Sequence, residues 1–109
     1  MYKNFVEKEI IGLNHNLVKM LDQAVDIAQI PFIVTSGKRT PEEDIAVGGS
    51  GTGTHTKGLA VDLRCRTSRE RFLMLKSLFA VGFPRIGIKR DHIHADIDVS
   101  RDVNVFWLE

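Results

Sequence analysis

The stretch Gly48 to Asp62 reads GGSGTGTHTKGLAVD. It is a glycine-rich loop that runs into a short apolar strand. Gly58 gives a bend, and the residues after it alternate so that Ala60 and Asp62 share one face. Asp62 is a carboxylate inside an apolar run. Burying it unpaired is expensive, so it needs a partner. His55, in the loop before the strand, can share a metal ion with it.

Working outward, the next dense group of metal-capable residues is Asp91-His92-Ile93-His94. On a strand, His92 and His94 share a face while Ile93 and Ala95 point the other way. An aspartate and two histidines make three protein ligands, the number a catalytic zinc takes while keeping a fourth position for water. His15 lies near the start of a predicted helix and is set aside as exposed. The glycines between Val47 and Thr54 do not read as a phosphate cradle. They lack the Gly-Lys-Ser/Thr ending and the strand-to-helix context. A loop that brings backbone close to the metal site is the better reading.

The pattern His55-x-x-Gly58-x-Ala60-x-Asp62 followed by His92-x-His94 resembles the zinc peptidases of the D-Ala-D-Ala carboxypeptidase and L-alanyl-D-glutamate endopeptidase group, whose fold the hedgehog signalling domain shares. The resemblance extends to Ser36-Gly37-Lys38-Arg39-Thr40, to the Val47-Gly48-Gly49 turn and to Trp107, and so covers most of the chain. It implies an α+β fold, with helices packed on a small, mainly antiparallel sheet. It implies Zn2+ held by His55, Asp62 and His94. Arg39 matches the family arginine that binds the substrate or the developing oxyanion, a task that suits a permanently charged guanidinium. Asp91 occupies the acid/base position three residues before the last ligand. Strict alternation points Asp91 away from His94, and a bend at Arg90-Asp91 would bring it back. His92 matches the first member of the family's His-x-His pair, as a stabiliser of the transition state or a proton shuttle. Asp96 is a carboxylate that can stand behind His94. The chain departs from the family pattern at Lys38, where an aromatic residue is usual. It departs again at Asp44 in place of asparagine, and at Gly53 in place of serine with Thr54 adjacent.

Two functions follow from the resemblance. One is a zinc peptidase that cuts the stem peptides of bacterial peptidoglycan, as a D-Ala-D-Ala carboxypeptidase or an L-Ala-D-Glu endopeptidase. The small size and the lack of a signal peptide resemble phage-encoded lysis enzymes. The other is a zinc-stabilised binding module of the same fold without turnover.

Composition narrows the field. A length of 109 residues suits one small domain, 1–109, expected to be monomeric. A net charge of +1 gives no basic footprint for nucleic acid. The single cysteine, Cys65, excludes an internal disulfide and alternates with Val61 and Leu63 as a core residue would. No segment is long and apolar enough to span a membrane. The start, MYKNFVEKEI, has no signal-peptide apolar region, so synthesis in the cytoplasm is expected, with access to the wall after release by another protein.

The remaining elements follow from periodicity and caps. Leu17, Met20, Leu21, Ala24 and Ala28 predict a helix from about Asn14 to Ile30, stopped by Pro31. Phe32 to Thr35 is β-prone. Pro41 to Ala46 predicts a helical turn whose acids, Glu42, Glu43 and Asp44, read as solvated. Thr67 and Glu70 have capping-box spacing. They open a helix to about Val81, expected to turn Phe72, Leu75, Leu78 and Phe79 inward, with Gly82 at its C-terminus. Strands are expected at Leu59–Arg64, Arg85–Lys89 and His92–Val99, all in one sheet. The tail from Val103 to Leu108 is expected to pack as a last strand or turn anchored by Trp107.

Overall fold

The computed structural model describes residues 2–108. Helix α1 spans His15–Ala28. It starts where the Asn14 side chain accepts hydrogen bonds from the backbone N–H groups of Asn16 and Leu17, two of the donors a helix start leaves without partners. It ends at Gln29, whose left-handed backbone turns the chain ahead of Pro31. Its apolar stripe, Leu17, Leu21, Ala24 and Ala28 with Val18 and Val25, is buried. Each large side chain buried there is worth about 1.5–3 kcal/mol.

Strand β1 covers Val34–Ser36, and the short helix α2 covers Pro41–Ala46. Helix α2 carries a complete capping box. Thr40 accepts from the Glu43 N–H, and the Glu43 carboxylate accepts from the Thr40 N–H. Strand β2 is Ala60–Arg64, and helix α3 is Ser68–Ala80. The Thr67 hydroxyl caps α3 by accepting from the Glu70 N–H. Glu70 does not return the bond to Thr67. It accepts instead from the Arg66 N–H, one residue earlier. Gly82, with φ of +90°, follows the helix. Strands β3 (Arg85–Ile88), β4 (His92–Asp96) and β5 (Val105–Leu108) complete the fold.

The five strands form one sheet in the order β1-β2-β4-β3-β5. All neighbours are antiparallel except β3 and β5, which are parallel. The α+β architecture with a mainly antiparallel sheet agrees with the sequence reading, and the strands expected at Leu59–Arg64, Arg85–Lys89 and His92–Val99 are all in that sheet, the last of them ending at Asp96. Period-2 alternation divides it. Val61, Leu63, Ile86, Ile93 and Ala95 face a core built with α1 and α3, and Cys65 is buried in the same cluster. The opposite face carries Asp62, His92, His94 and Asp96.

Helix α3 corrects one expectation. Its buried residues are Met74, Ser77 and Leu78, while Phe72 and Phe79 are exposed. The Ser77 hydroxyl turns inward without cost because it donates to the Met74 carbonyl. Phe79 instead meets Phe106 of β5 edge-on, with ring centroids 5.5 Å apart. No helix among the described residues is long and apolar enough to cross a membrane.

Candidate metal centre

The site is built on β2 and β4, which pair so that Asp62 lies directly opposite His94. The third member arrives from the glycine-rich loop. Gly58 has φ of +73°, and a Cβ there would stand 2.5 Å from the Gly12 carbonyl oxygen, so only glycine fits the bend. The loop is then tied down at His55. Its carbonyl accepts from the Arg39 and Gly58 N–H groups, and its ring Nδ1 donates to the Gly37 carbonyl at 2.9 Å. The Ser36–Thr40 turn and the histidine loop are therefore one unit.

This places three ligand atoms together. His55 Nε2 and His94 Nδ1 each lie 3.3 Å from Asp62 Oδ1. The donor atoms of His55, Asp62 and His94 all lie within 4.8 Å of one another. Tetrahedral coordination with bonds of about 2.0–2.1 Å sets donor atoms roughly 3.3–3.4 Å apart, so the two contacts to Asp62 have the span of ligands around one ion. The tautomers also fit. Nδ1 of His55 is the protonated nitrogen because a carbonyl is its partner, which leaves Nε2 with a lone pair. His94 is arranged the other way round. Its Nε2 donates to Asp96 Oδ2 at 2.6 Å, leaving Nδ1 to face Asp62. Two imidazole lone pairs and a carboxylate are a donor set that suits a divalent metal.

Burial by itself would raise the pKa of Asp62. Its contacts with His55 and His94 outweigh burial and hold the carboxylate well below the usual range. Burial pushes His94 down, but the hydrogen bonds to Asp62 and Asp96 prevail and raise it. Asp62 is thus held as the anion a metal requires. Arg39 adds to this. Its Nη2 donates to Asp62 Oδ2 at 3.2 Å, its Nη1 to Asp44 Oδ1 at 3.0 Å and its Nε to Ser36 Oγ at 3.1 Å.

Asp44 is a residue the sequence reading missed. Expected to be solvated, it is buried, paired with Arg39, and accepts from the Gly51 N–H at 2.9 Å. The Gly51 bond, followed by the Arg39 contact, lowers its pKa. Gly49 has to be glycine because the Asp44 carboxylate fills the space a Cβ would take. An arginine before an acid and glycines after it were the available signal, but nothing local tells a paired acid from a solvated one.

Behind His94 the arrangement continues. Asp96 is fully buried. It accepts from the Asp98 N–H at 3.0 Å, and its Oδ1 lies 2.8 Å from Arg85 Nε. Arg85 Nε lacks hydrogen-bond alignment, so charge holds this contact. The Arg85 guanidinium sits over Trp107, 5.1 Å from the ring centroid, and Trp107 lies 5.4 Å from the His94 ring. Gly87 makes room for the indole, since a Cβ would fall 2.5 Å from it. A cavity of about 310 Å³ opens in front of His55, Asp62 and His94, walled also by Arg39, Arg85, Lys89, Arg101 and Trp107.

Asp91 and His92 stand at the other end of β4. Asp91 is 82% exposed, and its Oδ1 accepts from His92 Nδ1 at 2.8 Å, which lowers the aspartate's pKa. His92 Nε2 is 4.0 Å from Asp62 Oδ2. The two residues line a second cavity of about 250 Å³ with Thr35, Arg64 and Arg66. Asp91 thus meets the metal-capable group through the His92 ring. His15 lies outside this centre and contacts the Tyr2 hydroxyl.

Residues 3–96 match the family described as Peptidase M15. The chain belongs to the peptidase M15 family. No curated protein matches it. The M15 match contains His55, Asp62, His94, Arg39 and the Asp91–His92 pair. The turn with Arg101 and the strand with Trp107 come after it.

Proposed function

We propose that this chain is a zinc-dependent peptidase that hydrolyses an amide bond in the stem peptides of bacterial peptidoglycan, as a D-Ala-D-Ala carboxypeptidase or an L-Ala-D-Glu endopeptidase. The observation that carries the reading is the convergence of His55 Nε2, Asp62 Oδ1 and His94 Nδ1, each histidine with its tautomer set by a partner on its other nitrogen. Zinc in such a three-ligand setting supplies an activated water near neutral pH and polarises the carbonyl under attack.

The chain's own residues do the rest. Arg39 holds Asp62 in place through its Nη2 contact, and it lends positive charge to the wall of the cavity where an oxyanion develops. The Asp91–His92 pair handles the proton, in the reverse of the roles expected from the sequence, which made Asp91 the base: the exposed Asp91 carboxylate is engaged by His92 Nδ1, and His92 Nε2 is the atom near Asp62. With Nδ1–H committed to Asp91, His92 Nε2 carries the lone pair that takes a proton from the attacking water and returns it to the leaving nitrogen. Asp91 fixes that tautomer and stabilises the imidazolium. Asp96 orients His94.

The test is digestion of purified peptidoglycan by the intact chain, with and without chelator and with zinc restored. New amino termini or released D-alanine that vanish with chelator and return with zinc are expected, and their identity separates the two scissile bonds. Zinc that binds and raises the melting temperature without any hydrolysis would instead assign the chain to the zinc-stabilised binding modules of this fold.

A further inference from the structure

The cavity in front of His94 has a cation, Arg101, to which the peptidase reading gives no part. Its walls carry four cations, Arg39, Arg85, Lys89 and Arg101, against three carboxylates, Asp44, Asp62 and Asp96. Each of the three carboxylates already has a cationic or imidazole partner inside the protein. Arg39 and Arg85 are largely buried and are spent on those carboxylates. Arg101 differs. It is 44% exposed, and its Nε lies 3.4 Å from Asp98, a fully enclosed carboxylate that Lys57 also contacts at 3.0 Å. A guanidinium has five N–H donors in a planar fork, and this contact uses one. Asp98 therefore fixes the stem of the fork on the cavity wall. The Trp107 ring lines the same cavity and gives it an apolar surface. A cationic fork and an aromatic face lining one cavity whose anions are all engaged suit a ligand carboxylate attached to a short aliphatic residue.

We propose that Arg101 forms a carboxylate-binding subsite and determines substrate specificity by holding a free carboxylate of the peptide close to the scissile amide. This rests on the peptidase reading of the same centre. In a stem peptide the carboxylate has two sources, the C-terminal carboxylate and the α-carboxylate of the γ-linked D-glutamate. The first makes the chain a carboxypeptidase and the second an endopeptidase.

The test uses the metal-loaded full chain and three synthetic peptides, L-Ala-γ-D-Glu-L-Lys-D-Ala-D-Ala and its two forms amidated at either carboxylate. Both kcat/KM and the Kd from calorimetry are measured, so that a chain without turnover still reports on the subsite. The wild-type protein is expected to lose roughly 10- to 100-fold in affinity when the carboxylate it reads is amidated, the loss typical of a charge-assisted hydrogen bond. Which amide causes the loss identifies the source. In Arg101→Gln the free acid and that amide should bind alike, while Arg101→Lys should keep part of the preference. Metal affinity and melting temperature of both variants should equal wild type, because Lys57 still covers Asp98. The second cavity provides the control, since it holds Arg64 and Arg66. Equal treatment of all three peptides by the wild type overturns the proposal. So does a preference that survives Arg101→Gln or that disappears in Arg66→Gln instead. Absence of turnover with the binding preference intact would refute the peptidase reading and leave the subsite standing.

Discussion

Asp96→Asn tests the support behind His94 most directly. The native carboxylate accepts from His94 Nε2 on one oxygen and from the Asp98 N–H on the other, which also faces the Arg85 cation at 2.8 Å. An amide has one acceptor oxygen and two donor hydrogens. Whichever way it turns, its NH2 group meets His94 or the Asp98 N–H and Arg85, so at least one donor faces another donor. Asp96 is fully buried and Arg85 nearly so, and no solvent relieves the loss. Removing one partner of a buried ion pair costs about 3–5 kcal/mol. The amide keeps one acceptor, so about 3 kcal/mol is expected, which lowers the melting temperature of a domain this size by roughly 10–20 °C. His94 also loses the partner that fixes its tautomer, and metal affinity should fall by about 10- to 100-fold. Thermal denaturation of the metal-free protein and a chelator competition at low temperature, where the variant is folded, measure the two effects separately. A variant with wild-type melting temperature and wild-type metal affinity would refute the reasoning, because Asp96 would then be neither paired nor orienting.

Other perturbations test neighbouring parts of the molecule. If Asp91 and His92 act as one unit, Asp91→Asn and His92→Gln should each lower kcat by roughly 100-fold or more with metal retained, and the double variant should be little worse than either. Full turnover in one of the singles, checked by steady-state kinetics, would break the pair. Gly87→Ala puts a methyl group into the Trp107 ring, so a loss of about 1–3 kcal/mol and a shift in tryptophan emission are expected, read by denaturant titration with fluorescence detection. The pKa of Asp98 is lowered to about 2. Burial opposes the shift, and the hydrogen bonds from Ser100 and Lys57 outweigh it. A depressed carboxylate stabilises the fold above its unfolded value near 3.8 and loses that contribution as pH falls toward 2. Asp98→Asn should therefore flatten the stability profile between those values, measured by denaturant titration along the acid limb. An unchanged slope would show that Asp98 gains nothing from its partners.

The sequence by itself determined the parts of this protein that depend on local pattern. Apolar period located α1, from about Asn14 to the stop before Pro31, because residues at helical spacing share one face and proline cannot continue the run. Alternation located β2 and β4, put Ala60 and Asp62 on one face of the first and put His92 and His94 on one face of the second, since a strand inverts its side chains at every residue. A site joining Asp62 to His55 and to a histidine of β4 was legible because an aspartate in an apolar strand demands a partner, and the family resemblance selected His94 over His92. The tertiary structure decided whatever depends on which segments meet. Asp44 looks like an ordinary acid in the sequence, and Asp96, though its place behind His94 follows from alternation, shows no sign there of its arginine partner. They are buried because Arg39 and Arg85 arrive from other elements to neutralise them, and the cost of burying a charge is set by those distant partners. The sheet order, with the tail strand parallel to β3, brings Trp107 and Arg101 to the cavity. No local periodicity encodes that pairing. Helix α3 shows the limit from the other side, because its phenylalanines carry the apolar signal and still lie outside the core. The helix rotates to bury Met74 and Leu78, the side chains that fit against α1 and the sheet. Volume and shape complementarity choose among apolar faces, and they exist only once the neighbouring elements are in place.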